Sequence, residues 1–189
     1  MTQEQCEELV DYLLGAWKDG YIPLTWNGLG FDFKILAEES GLFTACKILA
    51  LNHVDMMFHF FCVKGFPIGL DTACRGMGLE GKPEGMNDAI APIAWQEERY
   101  QEVLDYVSND VVQPLKLAEL VQRRGWLTWY TRRGSPANAT FPDGWLPVRA
   151  ALDLPEPDVA WMDDPWARSR FYEWTGVTPG DKENDRCLA

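Results

Sequence analysis

With 189 residues, 47% of them hydrophobic, and nine tryptophans, the chain has ample apolar content for a core, which excludes wholesale disorder. No apolar run approaches the roughly eighteen residues of a membrane span, and Glu4, Glu7, Glu8 and Asp11 make the N-terminal stretch acidic, the opposite of a secretory leader. The net charge of −12 argues against a protein that coats nucleic acid indiscriminately, because such affinity comes largely from neutralising phosphates; it does not argue against a nuclease, whose acidic site recruits cations.

Cys6, Cys46, Cys62, Cys74 and Cys187 are odd in number, scattered, and lack Cys-x-x-Cys spacing. They read as reduced, mostly buried thiols of a cytoplasmic protein, with no zinc site. Residues 3–18 carry Cys6, Leu9, Val10, Leu13, Leu14 and Trp17 at helical spacing, which predicts an amphipathic helix closed by Gly20. A buried strand is expected over Ile22–Trp26. The glycine-punctuated turn Asn27-Gly28-Leu29-Gly30 follows, then a helix from Phe31 to about Glu39, ended by Ser40-Gly41. Asp32 then lies in a helix's first turn, where the macrodipole favours an acid, and at the rim of a sheet. Taken alone, it reads as a solvated cap. Leu42–Leu51 reads as another short helix.

The apolar segment 53–65 fits either a strand running into a helix or one continuous core helix. His53, Asp55 and His59 have the look of a metal triplet, but the favoured reading makes Asp55 a helix cap and satisfies the histidines locally. Leu70–Met77 predicts a short helix, and Gly76, Gly78, Gly81 and Gly85 a loop carrying Lys82. No Gly-x-x-x-x-Gly-Lys-(Ser/Thr) occurs, which excludes a P-loop, and no Gly-x-Ser-x-Gly marks a nucleophile elbow.

From Ile93 to Arg124 the pattern is helical, with Tyr106 and Asp110 on one face. Pro114 predicts a kink or break near 110–114. Beyond Gly125, strands are expected at Trp126–Thr131 and Trp145–Val148. Frequent prolines exclude long elements, and Trp161, Trp166, Phe171, Tyr172 and Trp174 suggest an aromatic arm packed on the main body. Residues 176–189 read as disordered. Arg123-Arg124 and Arg132-Arg133 flank Trp126, Trp129 and Tyr130. A substrate strand would find charge and rings there, although arginines complementing a helix end are the simpler reading.

Two of these stretches together resemble the DEDDy 3′–5′ exonucleases of the ribonuclease H-like superfamily, in particular those related to the proofreading domain of B-family DNA polymerases. Asn27, Phe31 and Asp32 match the second motif, Asn-x-x-x-(Phe/Tyr)-Asp. Tyr106 and Asp110 match the third, Tyr-x-x-x-Asp, about eighty residues on. The resemblance covers roughly residues 5–124. The first motif, Asp-x-Glu, does not occur before Asn27; its one instance is Asp181-Lys182-Glu183, in a polar tail.

The resemblance implies an α/β, ribonuclease H-like fold that is partial and helix-rich, with its N-terminal strands missing. The exonuclease-type domain would span 1–125, an irregular aromatic C-terminal arm 126–175, and the tail 176–189. It further implies two-metal phosphodiester hydrolysis with Mg²⁺ or Mn²⁺. Asp110 would ligate one ion, Tyr106 orient the water, and Asp32 reach the second ion. Asn27 and Phe31 would lie at the substrate, or Asn27 would support the Asp32 turn. Two carboxylates hold one such ion weakly, not two, so the isolated chain is expected to be inactive or nearly so.

The implied substrate is single-stranded nucleic acid, DNA ahead of RNA. An exposed sheet edge would be covered by the arm, a second copy or a partner chain. Two other readings remain: a non-catalytic binding or scaffold module, and an acidic mimic of nucleic acid that competes for a basic partner.

Overall fold

Thr2 starts the first helix, α1 (Gln3–Lys18), with a reciprocal cap. Its hydroxyl accepts from the Gln5 amide at 3.3 Å, and its own amide donates to Gln5 Oε1 at 2.9 Å. The computed structural model to which this helix belongs describes residues 1–81 and 89–180. Lys82, Asp181-Lys182-Glu183 and Cys187 lie outside the described residues. The fold is mixed α/β and helix-rich. It divides into two compact units, Met1–Pro67 with Trp145–Ala189, and Ile68–Gly144. The division thus falls at 67/68 and 144/145, not at the expected 125/126.

In the first unit, α1 buries Cys6 and Val10. Strand β1 (Leu24–Thr25), helices α2 (Asp32–Ser40) and α3 (Phe43–Asn52), strand β2 (Val54–Asp55) and helix α4 (Met56–Lys64) follow. β1 and β2 pair in parallel, Leu24 with Val54 and Thr25 with Asp55. The expected strand Ile22–Trp26 therefore shrinks to two residues, because Asn27 turns to φ 74° immediately after it. The ambiguous segment 53–65 resolves as a strand running into a helix. Met56 through Cys62 are all buried, as a helix apolar on nearly every face requires.

Trp145–Val148 does not form the expected strand. The Leu146 amide donates to His59 Nδ1 at 3.2 Å, Pro147 has no amide hydrogen, and the Val148 amide donates to the His53 carbonyl at 2.9 Å. The donors a ladder would need are committed elsewhere, and Val148–Leu152 continues as helix α8. Phe171, Tyr172 and Val177 join the buried core around Phe58 and Phe61, so packing extends into the first residues of the expected disordered tail.

Arg168 secures this segment. Its guanidinium donates to the carbonyls of Leu152 (3.2 Å), Leu154 (2.8 Å), Cys62 (3.4 Å) and Pro155 (3.2 Å), and so serves the C-terminal ends of α4 and α8 together.

The second unit contains α5 (Leu70–Gly76), α6 (Ala91–Gln96), α7 (Tyr100–Arg124) and an antiparallel hairpin of β3 (Trp126–Tyr130) and β4 (Pro136–Thr140). Helix α7 continues through Pro114, which forgoes one i→i−4 bond, so the kink or break expected near 110–114 is not a break. A Cβ on Gly76 would meet the Thr128 carbonyl oxygen at 2.1 Å, so α5 lies against β3 at a distance only glycine permits. This contact draws residues 126–140 into the second unit, away from the C-terminal segment with which the sequence grouped them.

Candidate functional site

The joint from β1 to α2 is built around Asp55. This buried side chain accepts from the Asn27 amide (2.9 Å) and the Phe58 amide (3.0 Å) through Oδ1, and from the Leu29 amide (2.9 Å) through Oδ2. It caps α4, as expected, and also folds the turn above it. Asn27 holds a left-handed φ of 74°, which asparagine tolerates better than most residues. Gly28 is required because a Cβ would approach Thr25 Oγ1 at 2.5 Å. Asn27 thus stands within the turn, its backbone held by Asp55.

His53 completes the inner layer. Its Nδ1 donates to the Ala50 carbonyl at 2.7 Å, which leaves the neutral ring's Nε2 to accept the Thr25 hydroxyl at 2.9 Å. Thr25 Oγ1 in turn accepts the Gly28 amide at 3.1 Å. Burial pushes the His53 pKa down, only partly countered by the charge of Asp55. His59 is held neutral as well, lowered to about 4 by burial. Only the Ala50 bond is local: His53 also meets Thr25, and His59 Nδ1 accepts the Leu146 amide 87 residues on, where sequence reasoning expected local partners for both rings.

On this frame stand Phe31, 58% exposed at the N-cap of α2, and Asp32, its first residue. The Asp32 carboxyl is pushed above the usual range, first by desolvation and then by the Asp55 charge, against a lowering backbone hydrogen bond. It lines an open groove of about 660 Å³ between α1, β1 and α2, together with Cys6, Leu9, Leu24, Phe33 and Glu39. The groove is mostly apolar, with carboxylates at its rim.

Tyr106 and Asp110 lie one turn apart on α7 in the second unit. Tyr106 is buried, and Asp110 is half-buried beside a cavity of about 10 Å³ lined also by Asp71, Cys74 and Glu80. That volume holds about one water at most, far less than a hydrated divalent cation. The five expected site residues therefore form two sets, Asn27, Phe31 and Asp32 on one joint and Tyr106 and Asp110 on one helix, each in its own unit.

Among the described residues no three His, Cys, Asp or Glu side chains gather as a metal would need. Asp55, whose charge bears on Asp32, is committed to three amides. The described residues do not fit a two-ion centre. What the joint offers is an exposed carboxyl beside an apolar groove, its ionisation disfavoured by partial desolvation. No helix among the described residues is long and apolar enough to cross a membrane.

Sequence reasoning treated Asp55 as a cap and missed its hold on Asn27 and Leu29. The missing signal was long-range, since those amides lie 28 and 26 residues away. No family model, curated protein or solved structure matches the chain.

Proposed function

We propose that this protein is a ribonuclease H-like domain of the 3′–5′ exonuclease class that acts on single-stranded nucleic acid, and that the chain alone hydrolyses little or none. The observation that carries the reading is the joint itself. A parallel strand enters a turn with Asn27 at positive φ, and the turn delivers Asp32 to the first position of α2 with its carboxyl held above the usual range. Asp32 stays exposed to solvent while facing the apolar groove, a position from which a carboxyl can meet a substrate. Dependence on Mg²⁺ or Mn²⁺ belongs to the same proposal and rests on carboxylates added to Asp32 and Asp110. The proposed compartment is the cytoplasm, supported by buried free thiols at Cys6, Cys46, Cys62 and Cys74, with burial raising Cys62 to about 12 and Cys74 to about 11.

The test is co-expression with a fragment bearing an Asp-x-Glu strand, followed by incubation with a 5′-labelled single strand and Mn²⁺. Stepwise shortening from the 3′ end is expected, and its loss in Asp32→Asn and in Asp110→Asn. Asp32→Asn should also raise the melting temperature at neutral pH. An acid whose folded pKa is raised costs stability as pH climbs above its unfolded value, and asparagine removes that cost.

A second reading, a non-catalytic binding module, is favoured by the lack of any gathered group of three His, Cys, Asp or Glu among the described residues. A completed protein that folds, takes up Mn²⁺ and cuts nothing would establish it.

A further inference from the structure

We propose that the outward face of the β3–β4 hairpin is a binding platform for single-stranded nucleic acid, with Trp126 and Tyr130 stacking on bases and Arg123, Arg124, Arg132 and Arg133 holding phosphates. The site lies wholly in the second unit. It deepens the reading above by naming the surface that takes the strand, yet it does not require hydrolysis.

Alternation along β3 makes the face. Leu127 and Trp129 point inward and are buried, whereas Trp126 is 45% and Tyr130 54% exposed. The register sets Trp126 opposite Thr140, Thr128 opposite Asn138, and Tyr130 opposite Pro136. The outward face is therefore an aromatic ring at each end with a small polar centre, where the Thr128 hydroxyl donates to Asn138 Oδ1 at 2.6 Å. Among the described residues neither Trp126 nor Tyr130 enters a ring contact or side-chain hydrogen bond. Two uncommitted rings on one strand face are free to stack on planar groups.

Charge indicates what covers them. Residues 120–142 hold four arginines and no carboxylate, within a protein of net charge −12. Arg123 and Arg124 end α7 two and three residues before Trp126, and Arg132 and Arg133 occupy the turn just after Tyr130. All four are exposed, and among the described residues none enters an ion pair or hydrogen bond. Elsewhere in the same unit arginines are paired, Arg75 with Asp71 at 2.8 Å and Arg99 with Glu97 and Glu102.

The dipole of α7 accounts for Arg123 and Arg124 but not for Arg132 and Arg133, which lie in a hairpin turn. Cations at both ends of an aromatic face suit a polyanion with flat apolar bases. The rings are four residues apart, about 13 Å along the strand. That is the rise of roughly four stacked nucleotides at 3.4 Å each, so one oligonucleotide reaches both rings. A duplex hides its base faces, so the platform selects single strands.

The test is fluorescence anisotropy with labelled fifteen-nucleotide oligo-dT and oligo-rU, in EDTA so that no hydrolysis intervenes, at 50 and 200 mM salt. Binding to both strands is expected, with a log–log salt slope of roughly −2 to −3 from about −0.7 per phosphate neutralised. Arg132→Glu with Arg133→Glu should weaken binding at least tenfold and about halve the slope. Trp126→Ala should weaken it about tenfold with the slope unchanged, and Trp126→Phe should restore it. Phe also keeps the readout valid if the alanine variant melts early.

A parent that binds no strand at 50 mM salt overturns the proposal. So does equal binding of duplex and single strand, or variants that bind as the parent does. Binding lost in Asp32→Asn and kept in the hairpin variants would also overturn it while leaving the exonuclease reading intact. Binding through the hairpin, with no cutting in the complemented assay, removes the exonuclease reading alone.

Discussion

Replacing Asp55 by alanine leaves three amide hydrogens without an acceptor. The Leu29 and Phe58 amides are buried and that of Asn27 partly so, and each unsatisfied group costs about 1–3 kcal/mol. The sum, roughly 3–9 kcal/mol, is comparable with the whole stability of a typical domain, about 5–15 kcal/mol. Asp55→Ala should therefore largely unfold the first unit at 25 °C. Asp55→Asn separates the contributions. Its carbonyl can replace Oδ1 and keep Asn27 and Phe58, but its amide then faces the Leu29 donor. One lost bond of about 2 kcal/mol corresponds to a melting shift of roughly 4–8 °C for a chain of this size. Thermal denaturation followed by tryptophan fluorescence measures both, and Trp26 and Trp174 report from the same unit. If Asp55→Ala melts within about 2 °C of the parent, the claim that one carboxylate organises the joint is wrong.

His59 should impose acid sensitivity. Its folded pKa of about 4 lies below the ordinary 6.5, so the unfolded chain binds the extra proton first. Stability is unaffected above pH 6.5 and falls between 6.5 and 4, by up to about 3 kcal/mol for a shift of this size; His59→Gln should flatten melting temperature against pH in that window, and an unchanged profile would refute the assignment. Arg168→Ala should lower the melting temperature and open residues 153–167 to proteolysis, because four carbonyls lose their donor. Arg168→Lys should fall nearer the alanine variant than the parent, since an ammonium lacks the planar fork; a lysine variant matching the parent would show that charge alone suffices.

Helices whose apolar residues recur at regular spacing were legible in the chain, because that pattern is local. Gln3–Lys18 and Phe43–Asn52 emerge within a residue or so of expectation, whereas the run expected from Ile93 to Arg124 is parted at residues 97–99 into α6 and α7. The Asn27–Asp32 joint was equally legible, since a glycine-rich turn before an acidic first helical residue has few other uses. The outward pairing of Trp126 with Tyr130 follows from alternation, but their importance depends on exposure, which a pattern of residue types does not report.

Long-range acceptors decided the rest. Whether Trp145–Val148 became strand or helix depended on His59 and His53, more than eighty residues earlier, taking its amide hydrogens. The grouping of the hairpin depended on Gly76 letting a helix approach β3. The fate of the turn above α2 depended on an aspartate that reads, from its neighbours alone, as a simple cap. Local periodicity encodes which face of an element is apolar. It carries no information about which distant backbone group will meet a side chain once those faces close, and the joint and the hairpin are both determined at that step.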